Sequence, residues 1–267
     1  YIEGGSAYYV HDHVSAAKKA AFVHVDYVQA GYTRRLDKDC YVDFDRIFAV
    51  SDETAGVLAG VYPECQQKLS VFHNLIDTEA IRQKALLPAE KSMHEGIRLL
   101  TVGRLTPQKG FDCAVYALKL LLEKQYPVYW YIIGEGPEYG RLTQLARSLH
   151  VEDHFIFLGM QTNPYPYFKM ADFYIHATRF EGKSIAIQEA QVLGCAIAAS
   201  DCSGNREQIV SGVDGLLCPF SPEGIANAVE YLIEHPQTAQ SFGRAAAQKA
   251  CHFENDIHMI RDLLYSP

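Results

Sequence analysis

The chain has 267 residues, of which 48% are hydrophobic, and a formal net charge of −8. This length suffices for about two domains of ordinary size. No stretch approaches the run of about 18 apolar residues that a membrane-spanning helix needs. The acidic balance argues against general nucleic-acid binding. We therefore expect a soluble protein with a substantial core.

The cysteine pattern indicates neither a disulfide framework nor a metal site. The odd number of cysteines and their place in apolar runs are typical of reduced, buried thiols in a cytoplasmic protein. His11 and His13 flank Asp12, but no third ligand stands at a fixed spacing, so we predict no metal site. The chain starts at Tyr1 without a signal-peptide pattern, and we expect a fragment or trimmed chain. The cysteines are Cys40, Cys65, Cys113, Cys195, Cys202, Cys218 and Cys251.

Residues 1–78 predict a partial N-terminal α/β domain. Apolar runs at Ala20–Val25, Arg46–Ser51 and Lys68–Phe72 are rich in Val, Ile and Phe and predict strands. Asp52–Tyr62 predicts a helix between the last two, which implies parallel strands. Three strands make a thin sheet, so we expect the first part of this domain to be missing.

The rest of the chain predicts a linker, a complete domain and a terminal helix. Residues 79–96 predict the linker, because Pro88 and a charged and polar run interrupt the hydrophobic pattern. Residues 97–250 alternate strands with helices and predict a doubly wound parallel, Rossmann-like sheet. Residues 251–267 predict a C-terminal helix, broken from the preceding one near His252-Phe253. The predicted strands of the second domain are Ile97–Val102, Val128–Ile133, Phe155–Leu158, Phe173–His176, Ala196–Ser200 and Gly215–Cys218, and the predicted helices are Phe111–Lys124, Glu138–Leu149, Pro164–Met170, Ile185–Leu193, Arg206–Val210 and Pro222–Glu234.

Two glutamates, Glu181 and Glu189, flank a turn and the start of a predicted helix. Ser184 is the expected N-cap, and the helix is expected to stop at Gly194. Glu189 then lies among apolar residues, where a carboxylate is costly to bury without a hydrogen-bond partner. The free N–H groups at the helix start suit a phosphate or a sugar hydroxyl. Taken alone, Glu189 is more simply interpreted as a partly exposed helix glutamate.

Loops at the carboxyl ends of parallel strands usually hold the ligand. The loop 103–110 offers the guanidinium of Arg104 and the ammonium of Lys109, which suit phosphate, although a charged pair in a loop is most often only solvated. The segment 134–137 resembles an incomplete dinucleotide fingerprint. The segment 159–163 is a candidate for contacts to a base. Together these loops predict a nucleotide site more strongly than any one of them.

In order and spacing, these elements resemble the retaining GT-B glycosyltransferases of the glycosyltransferase group 1 type. Upstream, the segments 44–51 and 71–77 resemble the end of that family's N-terminal domain. The sequence of residues 181–184, together with His24-Val25-Asp26 upstream, is most similar to that of bacterial enzymes that build capsular or other surface polysaccharides. The matching segments of the second domain are Gly103-Arg104-Leu105 with Lys109-Gly110, Gly134-Glu135-Gly136-Pro137, Phe157-Leu158-Gly159, Glu181-x7-Glu189-Ala190 and Asp214-Gly215-Leu216-Leu217.

The resemblance implies a role for each matched residue. Arg104 and Lys109 would hold the diphosphate of a nucleotide-sugar and stabilise the leaving group without a metal. Glu189 would accept hydrogen bonds from the ribose hydroxyls. The implied catalytic residues are Arg104, Lys109, Glu181 and His24, and the implied donor-binding residues are Gly103, Arg104, Lys109, Gly159, Met160, Glu181, Gly182, Lys183, Ser184, Ile185 and Glu189.

The implied activity is transfer of a hexose-type sugar from a UDP- or GDP-sugar to a saccharide or lipid-linked acceptor, with retention, in polysaccharide biosynthesis. The nucleotide-sugar is a substrate, and neither a cofactor nor nucleic acid is expected. The implied location is the cytoplasm or the inner face of the membrane.

Two departures from the family pattern favour an alternative. Lys183 and Ser184 replace the usual Phe or Pro and Gly, and the family's first glycine-rich loop has no match before Tyr1. The alternative is a non-catalytic nucleotide-sugar-binding module, or a truncated transferase subunit that needs a partner. A nucleotide-sugar epimerase would need an acid–base set that the sequence does not supply, and a nicotinamide dehydrogenase would need a full glycine fingerprint.

Overall fold

In the computed structural model, which describes residues 5–250 and 256–265, the chain forms two compact units. The described part of the first unit comprises residues 5–75, 180–183 and 256–265, and that of the second comprises residues 76–179 and 184–250. The strands are β1 Ala20–Val23, β2 Arg46–Ala49, β3 Leu69–Val71, β4 Ile97–Val102, β5 Val128–Ile133, β6 Phe155–Gly159, β7 Phe173–His176, β8 Ala196–Ser200 and β9 Leu216–Cys218. The helices are α1 Gly5–His13, α2 Asp52–Val61, α3 Thr78–Lys84, α4 Phe111–Glu123, α5 Tyr139–Ser148, α6 Tyr165–Met170, α7 Ile185–Val192, α8 Ser203–Arg206, α9 Pro222–Glu234, α10 Pro236–Ala250 and α11 Ile257–Tyr265.

The first unit is built on a parallel sheet with the order β1-β2-β3. Its core is rich in tyrosine: the buried rings of Tyr27, Tyr41 and Tyr62 pack edge to face, beside Ile47 and Leu58. Aromatic pairs of this geometry add to the stabilisation that comes from burial alone. These three tyrosines therefore pack the core of the first unit.

The second unit is a six-stranded parallel sheet with the order β6-β5-β4-β7-β8-β9. This is the order of a doubly wound Rossmann-like fold, and it confirms the predicted fold class. The strand order reverses between β4 and β7, and ligands in such sheets bind at the carboxyl ends of the strands beside this point. The loops that follow β4 and β7 are therefore the expected ligand-binding loops of this sheet.

Alternate residues of each strand enter the two cores on either side of this sheet. Leu99 and Trp130 pack with α4 and α9 on one face. Leu100 and Tyr131 pack with α6 and α7 on the other. Because both faces are buried, the strands are continuous apolar runs, and β4, β5, β7 and β8 have the predicted bounds.

Three local differences from the sequence-based expectation were found. Helix α8, Ser203–Arg206, begins and ends earlier than predicted, and the Val210 N–H, predicted as helical, instead donates to Asp214 Oδ1 at 2.7 Å. Helix α3 lies almost wholly in the segment 79–96, predicted as a linker, and belongs to the second unit. Helix α1 was not predicted. The break expected near His252-Phe253 lies outside the described residues.

Two further properties concern the described residues only. Among their helices, none combines the length and apolar character needed to cross a membrane. Their cysteines are free thiols, and all of these except Cys202 are buried.

Candidate functional site

The loop after β4 carries two cations at the carboxyl edge of the sheet. The Arg104 side chain is exposed and forms no hydrogen bond or ion pair with any described residue. Lys109 ends a short 3₁₀ turn, Pro107–Lys109, and is partly buried. Its aliphatic stem covers Gly103, where a Cβ atom would lie 3.7 Å from Lys109 Cδ. The structure therefore brings Gly103, Arg104 and Lys109 together in one loop.

The loop after β5 interlocks with this one through two glycines. Gly134 and Gly136 have φ angles of +142° and +158°. A Cβ at either position would overlap a backbone carbonyl oxygen, that of Gly103 or that of Leu105. The Leu105 N–H also donates to the Glu135 carbonyl at 2.8 Å. The glycines thus serve backbone-to-backbone packing of the two loops.

Arg179, after β7, anchors the same loop from the other side. Its backbone N–H donates to the Gln108 carbonyl at 2.9 Å, and its guanidinium donates to the Pro107 carbonyl and to Asp112 Oδ2, the latter at 2.8 Å. The guanidinium also lies 5.0 Å from the centre of the Phe220 ring. Burial raises the pKa of Asp112, but the hydrogen bond from Arg179 prevails and holds it below its usual value. The loop with the two cations is therefore fixed by both neighbours.

A cavity of about 510 Å³ opens at the carboxyl ends of β5 and β6. Gly159 closes β6 with a φ of +75°, and the next residue, Met160, is 71% exposed. A cavity of this size and mixed lining suits a planar ring held by backbone groups. The lining residues are Gly134, Glu135, Gly136, Tyr139, Phe157, Leu158 and Gly159.

Helix α7 begins as predicted. The Ser184 hydroxyl caps it by accepting from the Ile187 N–H at 3.4 Å, and Gly194 follows its end with a φ of +70°. The buried Gln208 side chain forms two hydrogen bonds with the backbone of Ser184. Its Oε1 accepts from the Ser184 N–H at 2.7 Å, and its Nε2 donates to the Ser184 carbonyl at 2.9 Å. The start of α7 is thereby held in place.

Glu189 lies half-buried inside α7. Its Oε1 accepts a hydrogen bond from the Tyr165 hydroxyl at 2.9 Å. Burial raises the pKa of Glu189, and the hydrogen bond from Tyr165 opposes that rise. Its Oε2 forms no hydrogen bond with the described residues. The carboxylate therefore has one oxygen fixed by the protein and one left to accept from a ligand.

The remaining predicted residues lie in the first unit. Gly182 packs on the backbone of His24, whose carbonyl oxygen a Cβ at Gly182 would overlap. Burial lowers the pKa of His24, which favours the neutral imidazole. The carbonyl of Lys183 accepts from Asn74 Nδ2 at 3.2 Å, and Glu181 is buried. Within this unit the structure thus brings His24 and Gly182 together.

The sequence matches the model of the family described as glycosyl transferases group 1 over residues 82–249. The chain belongs to this family.

Named relatives of this glycosyl transferase chain were found among proteins of bacteria and archaea. It is 30% identical over 200 residues to N-acetylgalactosamine-N,N'-diacetylbacillosaminyl-diphospho-undecaprenol 4-alpha-N-acetylgalactosaminyltransferase of Campylobacter jejuni, a match that covers 74% of the chain and 53% of the relative. It is 25% identical over 180 residues to an uncharacterised glycosyltransferase of Methanocaldococcus jannaschii, covering 66% of the chain and 42% of the relative. The chain thus spans about half the length of these relatives.

Among solved structures, HepE of Anabaena in complex with UDP-glucose superposes on the glycosyl transferase chain with a TM-score of 0.81. The identity is 18%, and the match covers 97% of this chain and 74% of HepE. HepE is similar to this chain in fold, and other structures of this type include TarM, with a TM-score of 0.80. These likenesses support assignment of the GT-B fold.

Three residues that support the loops of this glycosyl transferase escaped the sequence analysis. Tyr165, Arg179 and Gln208 act through partners that are distant in sequence, so no local pattern identifies them. The burial of the Gln208 amide is visible only in the structure. Its partner could be identified only from the fold.

Proposed function

We propose that the chain is the donor-binding part of a retaining glycosyltransferase that moves a hexose-type sugar from a nucleotide-sugar to a saccharide or lipid-linked acceptor. The main support for the proposal is the set of groups gathered at the carboxyl edge of the sheet in the second unit. There, Arg104 and Lys109, a 510 Å³ cavity and the start of α7 follow neighbouring strands. This set suits a diphosphate joined to a planar base and a ribose.

The proposed chemistry follows from where charge develops. Breaking the bond between the sugar and the diphosphate places negative charge on the leaving nucleoside diphosphate. Arg104 and Lys109 stabilise that charge, and the free N–H groups at the start of α7 add a positive dipole. Because the backbone of the loop 103–110 is held by Gly134, Gly136 and Arg179, that backbone needs little reorganisation during the reaction.

Each donor group is given a binding element within the second unit. The cavity beside Gly159 and Met160 takes the base, and Glu189 accepts from the ribose hydroxyls. The complexes of HepE with UDP and with UDP-glucose support a uridine nucleotide, and the Campylobacter relative's name supports a lipid-linked acceptor in glycan assembly. The roles of Glu181, Gly182, Lys183 and His24 toward the donor sugar stay predictions from the family resemblance, as do retention and independence of metal.

The proposal is tested by calorimetric titration of UDP, GDP and UDP-glucose. We expect one nucleotide to bind, and Arg104→Ala and Lys109→Ala each to weaken it by about 10- to 100-fold, as for a lost hydrogen bond to a charged group. Arg147→Ala is the control, because Arg147 is an exposed cation in the last turn of α5.

Three results would count against the proposal. Failure of the chain to bind either nucleotide would remove its basis. Equal losses of nucleotide affinity in Arg147→Ala and Arg104→Ala would show that only the net charge of the protein affects binding. Where turnover is measurable, NMR of a product with inverted anomeric configuration would contradict the retaining mechanism.

A further inference from the structure

Tyr165 stands at the first position of α6, and its ring is fixed by apolar packing. The ring lies against the cluster formed by Ile81, Val192 and Ala250, and 6.5 Å from the ring of Phe168. A tyrosine packed in this way has few alternative rotamers. Its hydroxyl is therefore a donor with a fixed position.

That hydroxyl meets Glu189, on the neighbouring helix α7. Donation from Tyr165 to Glu189 Oε1 at 2.9 Å is a hydrogen bond to a charged acceptor, which is stronger than a neutral one. The bond holds the carboxylate in one orientation, with Oε2 directed away from the tyrosine. No other hydrogen bond to the Glu189 carboxylate exists within the described part of the chain.

We propose that Tyr165 is the positioning residue for ribose recognition, holding Glu189 so that its second oxygen accepts from a ribose hydroxyl. This inference rests on the proposed function, in which Glu189 binds the ribose. In this arrangement Tyr165 acts through Glu189. It reduces the conformational freedom that Glu189 would lose on binding, and such preorganisation raises affinity.

The proposal predicts an effect confined to nucleotides that carry ribose hydroxyls. The experiment titrates the full chain with UDP, GDP and their 2′,3′-dideoxy forms by calorimetry. We expect Tyr165→Phe to weaken the ribonucleotide by about 3- to 10-fold, the cost of immobilising one side chain on binding, and to leave the dideoxy form unchanged. Glu189→Ala should abolish discrimination between the two forms.

Tyr126→Phe is a matched control within the same unit. Tyr126 lies between α4 and β5, and its hydroxyl is also within donating distance of carboxylates on α9. Glu234 Oε1 is 2.9 Å away and Glu230 Oε1 is 3.1 Å away. The same chemical change there should leave both affinities as in the wild type. Thermal unfolding of both variants checks that each is folded, because phenylalanine retains the ring and its packing.

Each contrary outcome has a distinct meaning. Full discrimination in Tyr165→Phe overturns the positioning role. Equal weakening of the ribose and dideoxy forms also overturns it, since the hydroxyl would then serve general structure. Failure of the wild type to bind UDP or GDP overturns the proposed function itself. Discrimination retained in Glu189→Ala overturns the ribose role of Glu189 but leaves diphosphate binding standing.

Discussion

Asp37 is a fully buried carboxyl in the first unit. Neither of its carboxyl oxygens has a hydrogen-bond partner in the part of the chain that the structure describes. The neighbouring Tyr27 hydroxyl pairs with that of Tyr62, at 3.3 Å. Burial raises the pKa of Asp37, because the ionised form is poorly solvated there, and the neighbouring Tyr27 hydroxyl opposes that rise without cancelling it. The folded protein therefore binds this proton more tightly than the unfolded chain.

A raised pKa in the folded state has a defined consequence for stability. The stability that Asp37 contributes by binding its proton is fully present below the pKa of the unfolded state, about 4. It is lost as the pH rises through the pKa of the folded state. We predict that Asp37→Asn is more stable than the wild type at pH 8, by about 1–3 kcal/mol, and that the difference shrinks toward pH 4. Urea unfolding followed by circular dichroism measures it.

Asp39→Asn is the control for this change. Asp39 is exposed and pairs with Arg34 at 2.5 Å, so its loss should alter the free energy of unfolding by less than about 1 kcal/mol at either pH. A destabilised Asp37→Asn protein at pH 8 would show that the carboxylate is satisfied in solution.

At the level of elements, the start of helix α7 depends on Gln208. Both polar groups of the Ser184 backbone are buried and bonded to one amide. Gln208→Leu leaves the Ser184 N–H unsatisfied, whereas the Ser184 carbonyl still accepts from the Gln188 N–H at 3.2 Å. One unsatisfied buried donor costs about 1–3 kcal/mol. Unfolding is followed by the fluorescence of Trp130, the chain's single tryptophan, in β5 of the second unit.

Two further variants sharpen this prediction. Gln208→Glu keeps an acceptor for the Ser184 N–H and loses only the donor to a carbonyl that Gln188 still serves, so a smaller loss than that of Gln208→Leu is expected. Gln240→Leu, an exposed glutamine on α10, should cost little. A Gln208→Leu protein as stable as Gln240→Leu would exclude this role of Gln208.

The elements themselves were largely predictable, and their partners were not. Strand β5 is a continuous apolar run, and α7 has a local cap at Ser184, so short-range chemistry defines them. The bond from Tyr165 to Glu189 and that from Ser184 to Gln208 each join residues 24 positions apart. Such pairs depend on how helices settle on the sheet.

At the scale of the whole molecule, the nucleotide is expected to stabilise the second unit by mass action. A ligand at 100 times its Kd adds about 2.7 kcal/mol. For a chain of this size, we expect the unfolding temperature reported by Trp130 to rise by about 5–10 °C. Arg104→Ala should reduce the rise at the same nucleotide concentration, and Arg147→Ala should not.

Titration with pyrophosphate distinguishes the phosphate contribution to this rise in unfolding temperature from the contributions of the ribose and the base. Pyrophosphate fits the cations of the loop 103–110 but offers nothing to Glu189 or to the cavity, so a smaller rise is expected. A rise equal to that of UDP would show that base and ribose contribute nothing, and would contradict the donor site proposed above.

The interlocked glycines also bear on how this site can evolve. Any side chain at Gly134 or Gly136 must displace the backbone that carries Arg104, so a single substitution there damages phosphate binding before it can alter base preference. Met160 projects into solvent and is free to vary. Thr162 is also exposed, whereas Gln161 and Asn163 donate to the Leu158 and Lys84 carbonyls. New nucleotide preferences should therefore arise first by substitutions at positions 160 and 162. A mutant library for donor switching belongs in those two positions, with both glycines kept.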